Sequence, residues 1–554
     1  MLSKRLREKI DSLLSKERGT IYKDPGGRIN ICLVYPNEYH IGMSNLGFQG
    51  IYTLLNRRAD VVCERAFLPD KEDMEEFLRT GSEIVSMESK RPLNRFDIIA
   101  FSVSFENDYP NISVILNLSR FPLLTIERKN RDYPLLIMGG ICAFFNPEPL
   151  AEIFDICFIG EAEEMLQEFL DLYKVCDDRG KLLKEALRIE GIYIPEFYEV
   201  RYSNVNRDGQ PTIGAISERR SLNDAPEVIK KRTLKDIKTS PIRHTIITAE
   251  TEFSEMHLIE AMRGCPWSCR FCVTGYVYKP VRGKSKDLII DEIKSAPEAK
   301  RFGLIGPSLS DYPDIKDVLG IGDVEFSITS LRASKKSAEL VKLLKGSKSV
   351  SIAPEAGTER MRRVIDKRIT EDDIIEISRL ILSEGVENLR LYFMIGLPTE
   401  EEDDIIGIIN LVKKIRDLSE RGYLVLTIST FVPKPFTPFQ WHPMERMDII
   451  KERLRVIKRG LMGIKGIKVF HDVPKYTYMQ GLFARGDRRI AKVLREMGNG
   501  KDWKRACLDS GIDIDYYLFR SWSLEEKLPW DFIDCGIKKE RLWEEYRKAL
   551  SVTH

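Results

Sequence analysis

Two long stretches of this chain alternate short apolar runs with helical segments, and this pattern constrains the fold more than any other feature. In the first stretch the apolar runs are ICLVYP, DIIAFSVSF, PLLIMGGI and DICFIG, at 31–36, 97–105, 134–141 and 155–160. Nearly continuous apolar strands separated by helices are typical of a parallel sheet that is covered on both faces. The sequence therefore predicts an α/β protein whose first large domain, 30–195, is a doubly wound parallel sheet.

The alternation resumes at Met256 and predicts a second α/β domain over 256–470. Strands are expected near 256–263, 301–306, 324–330, 349–353, 388–395 and 424–431. Six strand–helix units fit a partial (β/α)6 barrel of the TIM type, in which chemistry lies on the loops that follow the strands. The remaining segments are predicted to be an N-terminal helix within 1–29, a linker over 196–255 with a hairpin around Asn206 to Gly209, and a helical, aromatic C-terminal region over 471–554 that caps the barrel.

Charge and composition argue against a nucleic-acid-binding, membrane-spanning, secreted or disulfide-rich protein. Lys and Arg number 87 against 85 for Asp and Glu, so no global field attracts nucleic acid or an anionic membrane, and nucleic acid is not a favoured partner. No stretch reaches the roughly 18 consecutive apolar residues of a membrane span, and the charged start is unlike a secretory signal. Ten cysteines are few for a disulfide scaffold of this length. We therefore expect a cytoplasmic protein with no membrane partner.

Three cysteines lie within eight residues, just after the first predicted strand of the barrel. In MRGCPWSCRFCVTG they are Cys265, Cys269 and Cys272. Such spacing lets three thiolates bind three irons of a cubane cluster and leaves the fourth iron without a protein ligand. An electron passed into such a cluster can break a sulfonium bond of a cofactor held at the open iron. Structural zinc would need a fourth ligand and an inert electron-transfer cluster a fourth cysteine, and neither follows nearby.

The segment CPWSCRFC matches the CxxxCxxC signature of the radical S-adenosylmethionine (SAM) superfamily, including the aromatic Phe271 before the last cysteine. SVSIAPEAGTERMRRVIDKRIT, NLRLYFMIGLPTEEED and TISTFVPKPFTPFQWHPM resemble the fourth-, fifth- and sixth-strand segments of the branch that contains the methylthiotransferases. The resemblance implies a four-iron, four-sulfur (4Fe-4S) cluster on the three cysteines and SAM as the cofactor that is cleaved to a 5'-deoxyadenosyl radical. The residues it implies for SAM binding are Phe271, Gly306, Ser308, Glu355, Met394, Ile395 and Gly396.

The sequence departs from the radical SAM pattern at one place, and three arginines near Glu355 are not assigned to the cofactor. Gly306-Pro307-Ser308 stands where the family often has Gly-Gly-Glu for the methionyl amine, so backbone carbonyls would have to substitute. A dipole-favoured carboxylate at a helix start is the alternative role for Glu355. Arg360, Arg362 and Arg363 are interpreted as a solvated helix face rather than a phosphate site.

The segment MGGICAFFNPEPLAEIFDICFIGEAEEMLQEFL resembles the vitamin B12 (cobalamin) binding domain that precedes the barrel in one subgroup of these enzymes. The resemblance implies that Gly139, Gly140, Gly160 and Glu161 contact cobalamin at the carboxyl ends of parallel strands, where glycine lets the backbone approach a flat ring. The alternative is structural, because glycines also serve tight strand-to-helix turns and glutamates favour helix N-termini. The lower-ligand motif Asp-x-His-x-x-Gly is absent.

Several functions follow from these expectations. The leading one is radical modification of an unknown substrate, including methyl transfer if cobalamin is bound. The alternatives are a cobalamin-independent radical enzyme whose N-terminal domain binds the substrate, a methylthiotransferase-like modifier of RNA or protein, and a non-catalytic sensor. A methylthiotransferase needs a second cluster on three N-terminal cysteines, whereas cysteines on apolar strands are usually small buried hydrophobes. An electron donor such as flavodoxin or ferredoxin is the expected partner.

Overall fold

The protein divides into two compact units. The computed structural model describes residues 2–129, 133–203, 214–240, 242–297, 299–322, 324–328, 330–343 and 348–552. Unit 1 consists of Met1–Glu255, Phe483–Tyr517 and Glu525–Gly536, and unit 2 of Met256–Leu482, Leu518–Leu524 and Ile537–His554. No helix among the described residues is long and apolar enough to cross a membrane.

Unit 1 is built on a six-stranded sheet with the order β2-β1-β3-β4-β5-β6, in which only β6 runs antiparallel to its neighbour. The strands are β1 (Ile29–Tyr35), β2 (Val61–Phe67), β3 (Ile98–Ser102), β4 (Leu135–Gly139), β5 (Ile156–Phe158) and β6 (Ile192–Tyr193). The helices of this part of the chain are α1 (Lys4–Ser15), α2 (Tyr39–Met43), α3 (Leu46–Arg57), α4 (Lys71–Thr80), α5 (Tyr109–Leu118), α6 (Thr125–Arg128), α7 (Ile141–Phe145), α8 (Ala162–Val175) and α9 (Arg179–Ala186). The predicted doubly wound parallel sheet is confirmed, with a flavodoxin-like strand order.

The segment predicted as a linker, 196–255, belongs to unit 1. Antiparallel strands β7 (Tyr198–Tyr202) and β8 (Ile216–Ser221) flank the predicted hairpin turn, Asn206 to Gly209, which lies outside the described residues. A short strand β9 (Ile229–Lys230) follows. Arg232, two residues after β9, forms a parallel bridge with Gly160. This segment therefore lies directly against the carboxyl end of β5.

Unit 2 contains the partial barrel. Parallel strands form two sheets, β10-β13-β14 and β15-β16-β17-β18, and a parallel bridge between Leu331 and Ile352 lies between them. The strands are β10 (His257–Glu260), β11 (Met262–Arg263), β12 (Arg282–Gly283), β13 (Arg301–Ile305), β14 (Glu325–Ile328), β15 (Ser349–Glu355), β16 (Asn388–Ile395), β17 (Tyr423–Thr430) and β18 (Ile467–His471). The helices are α10 (Thr274–Val277), α11 (Lys286–Lys294), α12 (Ile315–Leu319), α13 (Lys335–Leu343), α14 (Glu359–Val364), α15 (Glu371–Ser383), α16 (Glu402–Arg416) and α17 (Met447–Leu461). All six predicted strands are present, and β18 is a further one.

The two faces of the larger barrel sheet differ sharply. Alternate residues of β16 and β17, such as Leu391 and Leu426, are fully buried in one apolar cluster with residues of helices α15, α16 and α17. We call the opposite face, which carries Glu355 and Met394, the inner face. A β-strand sends successive side chains to opposite faces, so the sequence pattern alone separates the helix-packed set from the inner set.

The C-terminal region 471–554, predicted as one cap of the barrel, is instead divided between the units. Its elements are α18 (Pro474–Arg485), α19 (Ile490–Gly498), α20 (Trp503–Asp509), α21 (Ile514–Leu518), β19 (Ile533–Asp534) and α22 (Lys539–Leu550). Within unit 1, the buried Asn146 amide donates to the carbonyls of Ala484 (3.0 Å) and Gly486 (2.9 Å). Within unit 2, Trp543 packs edge-on against Trp441. The division has a physical reason, because parts of this region supply partners to buried groups of both units.

Candidate active site

The three cysteines lie on the loop between β11 and α10, here called the cysteine loop (264–273). Gly264 begins it with φ +86°, and a Cβ there would lie 2.4 Å from the carbonyl oxygen of Tyr278, so only glycine fits. The Cys272 amide donates to the Cys269 carbonyl at 3.0 Å, which turns the loop back on itself. Cys269 is buried, Cys265 and Cys272 are half-buried, and all three are free thiols. The three predicted cluster ligands therefore share this one loop.

The thiols of the cysteine loop lie close enough to influence one another's charge, because Cys272 acts on both Cys265 and Cys269. Among the described residues, no group of three His, Cys, Asp or Glu side chains is arranged to hold a metal ion. Burial raises the pKa of the Cys269 thiol to about 11, and burial also raises the pKa of Cys265. Because ligation requires thiolates, positive charge near this loop favours binding.

Lys367 supplies one such charge and joins Glu355 to the cysteine loop. Its ammonium lies 3.0 Å from the Glu355 carboxylate, and both side chains are largely buried. Burial opposes the charge on Lys367, but Glu355 and the Cys269 thiol outweigh burial and raise its pKa. Glu355 ends β15 with φ +66° and is in register with Phe393 of β16. The structure thus places Glu355 near the Cys269 thiol and, in the strand register, one residue before Met394.

Arg332 is a second cation at the cysteine loop. Its guanidinium carbon lies 3.7 Å from the centre of the Trp267 ring, which is close cation–π contact. The same guanidinium donates to the carbonyls of Lys367 and, at 3.0 Å, Arg368. Burial lowers the pKa of Arg332, and the Cys269 thiol and Asp311 oppose that effect. Arg332 therefore ties the Lys367 segment to the cysteine loop.

Trp267 connects the cysteine loop to the loop after β13. Its indole N–H donates to Asp311 Oδ2 at 2.6 Å, and the Ser308 hydroxyl donates to the same oxygen at 2.8 Å. Ser308 thus lies near the cysteines, although its side chain is engaged by Asp311. A Cβ at Gly306 would lie 2.5 Å from the Met262 side chain, so close packing explains that glycine. Asp311 places a carboxylate after β13, where the expected Gly-Gly-Glu is missing.

The end of β16 is held by a carboxylate that the sequence did not single out. The Gly396 amide, at φ +79°, donates to Glu400 Oε2 at 2.7 Å, and Arg453 donates to the same oxygen at 2.8 Å. Met394 lies half-buried on the inner face. The Ile395 side chain is fully buried in the apolar cluster, so only its backbone faces the site. Phe271 is half-buried in the cysteine loop.

Two of the three arginines interpreted as a solvated helix face are buried, which corrects that prediction. Arg360 pairs with the buried Asp404 of α16. Arg362 is 1% exposed and donates to the carbonyls of Ala356 (2.9 Å) and Ile369 (3.2 Å). Arg363 is exposed as predicted. These buried guanidiniums fasten the loop after β15, because they satisfy carbonyls that no strand pairs.

Three of the four residues implied for cobalamin, Gly140, Gly160 and Glu161, have structural roles in unit 1. A Cβ at Gly140 would lie 2.4 Å from the carbonyl oxygen of Val103, and one at Gly160 2.1 Å from that of Arg232. Glu161 is buried and accepts the Leu234 amide at 2.7 Å. Only Gly139 has room for a Cβ, with Phe158 at 4.0 Å. Backbone of the chain itself therefore occupies the Cβ side of Gly140 and Gly160, which accounts for both glycines without a corrin ring.

Comparisons with known proteins agree with the chemistry of the cysteine loop. Residues 259–412 match the family model of the radical SAM superfamily, and residues 47–195 match that of the N-terminal region of radical SAM proteins. The chain belongs to the radical SAM superfamily. Members of this superfamily are enzymes that use a 4Fe-4S cluster and SAM, and the matched range contains all three cysteines together with Glu355 and Met394.

Individual relatives of this radical SAM protein differ in how much they share with it. The uncharacterized protein MJ0966 of Methanocaldococcus jannaschii is 29% identical over 509 residues, covering 90% of this chain and 98% of its own. A tRNA-2-methylthio-N(6)-dimethylallyladenosine synthase of Desulforamulus reducens is 26% identical over 28% of this chain and 39% of its own. The solved structure of the cobalamin-dependent SAM radical enzyme OxsB with aqua-cobalamin and SAM bound has a TM-score of 0.48 and 13% identity, covering 94% of this chain and 79% of that one.

Proposed function

We propose that this protein binds a 4Fe-4S cluster through Cys265, Cys269 and Cys272 and uses SAM, without cobalamin, to modify an organic substrate on the inner face of the barrel. The observation that carries the proposal is the convergence of Glu355, Lys367 and Arg332 on the cysteine loop. When bound, the cluster and SAM supply reductive cleavage of a sulfonium bond to a 5'-deoxyadenosyl radical. An oxygen-labile cluster fits a reducing cytoplasm, and the reaction needs an electron donor such as flavodoxin or ferredoxin.

The chain's own residues hold the reactants and keep them in place. Glu355 and Asp311 offer carboxylates to a cationic or hydroxylated part of the cofactor, one after β15 and one after β13. Lys367 and Arg332 oppose the negative charge that three thiolates bring to a partly buried loop. Glu400 accepts the Gly396 amide and so fixes the backbone at the end of β16. Such fixed groups lower the cost of reorganisation during the reaction.

The alternatives fit the structure less well. A second cluster, as in a methylthiotransferase, would need three N-terminal cysteines that converge. Cys32 on β1 and Cys157 on β5 are fully buried, and β3 and β4 lie between these strands. A cobalamin-dependent reaction would need a corrin-binding crevice at Gly140 and Gly160, where backbone already packs. These observations favour a radical enzyme whose N-terminal unit has no corrinoid.

The test is anaerobic purification from cells grown with hydroxocobalamin, followed by iron, sulfide, zinc and corrinoid analysis and by reduction with dithionite in the presence of SAM. We expect about four irons per chain, no corrinoid, and release of 5'-deoxyadenosine. Replacement of all three loop cysteines by Ala should abolish iron binding and SAM cleavage, whereas Cys176→Ala, at a half-buried site in unit 1, should leave both unchanged. Stoichiometric zinc without iron would refute the cluster, and retained corrinoid would refute the cobalamin-independent reaction.

A further inference from the structure

The inner face of the larger barrel sheet is open to solvent, unlike the filled interior of a closed TIM barrel. Three aromatic side chains on it are substantially exposed: Tyr392 by 36%, Tyr423 by 47% and Phe470 by 58%. Their neighbours along the strands, which point the other way, are buried against the helices. A group of exposed aromatic side chains on one face marks a surface that a ligand covers, because the apolar area otherwise stays in contact with water.

Two cations lie on the same face. In the strand register, Arg390 of β16 and Lys468 of β18 lie on either side of Val425 of β17. The Cα atoms of such residues are about 10 Å apart, two strand spacings, so their long side chains can reach one ligand group between them. Among the described residues no carboxylate pairs with either cation; Arg390 donates to the Ser349 hydroxyl at 3.0 Å, and Lys468 lies over the Tyr423 ring at 4.3 Å.

Residues that are paired across β16, β17 and β18 form rows, and two further rows of the inner face follow the cationic row toward the carboxyl ends of the strands. Tyr392 and Phe470 lie on either side of Thr427, one row closer to the carboxyl end. Met394 and Ser429 are paired one row further, at the end that is beside Glu355. Two residues advance a strand by about 6.6 Å, so the cationic row lies roughly 13 Å from the row at the cofactor end. Charge, aromatic surface and the reacting end therefore follow one another along a single line.

We infer that the substrate of this enzyme is an elongated organic anion, with a carboxylate or phosphate between Arg390 and Lys468, a planar or apolar middle against Tyr392 and Phe470, and its reacting carbon about 13 Å from the charge, near Met394. The inference rests on the proposed function, because it assigns the reacting carbon to the cofactor end of the sheet. Binding energy from a distant charged group holds the reacting carbon in position without touching it.

The test uses three fluorescent probes that share one aromatic body: pyrenebutyrate, pyrenebutyl phosphate and the uncharged pyrenebutanol. Their affinities for the full-length, anaerobically reconstituted protein with SAM are measured by fluorescence anisotropy. At least one anionic probe should bind about tenfold more tightly than the alcohol, and Arg390→Gln and Lys468→Gln should each weaken it about 5- to 20-fold. Lys413→Gln, on the exposed side of α16, is the matched control and should change nothing.

The two anionic probes separate the sources of the charge, since preference for one identifies the substrate group as carboxylate or phosphate. Equal binding of the alcohol, unchanged affinities in both variants, or no binding of either anion overturns the inference. The proposed function fails separately: wild-type protein that releases 5'-deoxyadenosine but does not distinguish the probes refutes only the anion site. Protein that distinguishes the probes but binds no iron refutes only the cluster.

Discussion

Adjacent glycines at the end of β4 offer a direct test of whether the N-terminal unit is shaped by its own packing or by a corrin ring. Gly140 has φ 98° and ψ 173°, a region that is essentially restricted to glycine. A Cβ there would lie 2.4 Å from the Val103 carbonyl oxygen, whereas at Gly139 the nearest atom would be at 4.0 Å. Gly140→Ala and Gly139→Ala therefore form a matched pair, one residue apart.

The expected magnitudes differ clearly. Forcing a side chain into that backbone region costs about 1–3 kcal/mol, and pushing the Val103 backbone away costs about another 1–3 kcal/mol. Gly140→Ala should thus lower the free energy of unfolding by about 2–6 kcal/mol, against a typical total of about 5–15 kcal/mol. Gly139→Ala should stay within about 0.5 kcal/mol of wild type.

Urea unfolding gives the global value, and hydrogen exchange measured by mass spectrometry gives the local one. Peptides that contain β3 and β4 should lose protection in Gly140→Ala and keep it in Gly139→Ala, because the clash lies between these two segments. The reasoning is refuted if Gly140→Ala is as stable as wild type. It is equally refuted if both variants fold normally and both lose a bound corrinoid, since the glycines would then serve the ring.

Two further predictions concern buried charge. Lys367→Met removes a positive charge near Cys269 and should lower the reduction potential of the cluster by on the order of 50–100 mV in an EPR-monitored titration. The exposed Lys413→Met is the control, and an unchanged potential in Lys367→Met would contradict the role given to Lys367. Burial raises the pKa of the Asp108 carboxyl to about 7. Between about pH 4 and pH 7 the unfolded chain therefore loses the Asp108 proton while the folded chain keeps it, so the free energy of unfolding falls as pH rises. Asp108→Asn should therefore stabilise the protein by about 2–4 kcal/mol at pH 8 and by less at pH 5, and a gain that does not grow with pH would contradict this.

Most strands were predictable because their apolar runs are uninterrupted. Two strands of the N-terminal sheet were missed, the two-residue β6 and the longer β2, and β2 shows the limit of that signal. Strand β2, VVCERAF, carries Glu64 and Arg65 in its middle, yet every residue is buried. Arg65 is neutralised by Glu17 and Glu88, and Glu64 by Arg91 and nearby serine hydroxyls. Paired charges can be buried, but their partners lie far away in the sequence, so a local pattern reads such a strand as polar.

Part of the candidate site was likewise predictable from local sequence, and part of it was not. The cysteines follow from their spacing and Glu355 from a family segment, since both signals are local. The residues that complete the site do not: Trp267 meets Asp311 across 44 positions, and Arg332 meets the Lys367 carbonyl across 35. The glycines of unit 1 make a related point, because a sequence shows that a Cβ is missing but not whether a cofactor or the chain's own backbone occupies its place.

The interleaved course of the C-terminal region has a consequence for biosynthesis. The first 255 residues of unit 1 leave the ribosome early, but their partners extend to Gly536, roughly 280 residues later. At about 5–20 residues per second, Asn146 waits about 17–68 s for the carbonyls of Ala484 and Gly486. The nascent N-terminal sheet therefore exists for that time with unsatisfied polar groups and uncovered apolar surface. We expect this to favour chaperone binding during translation and aggregation of truncated fragments.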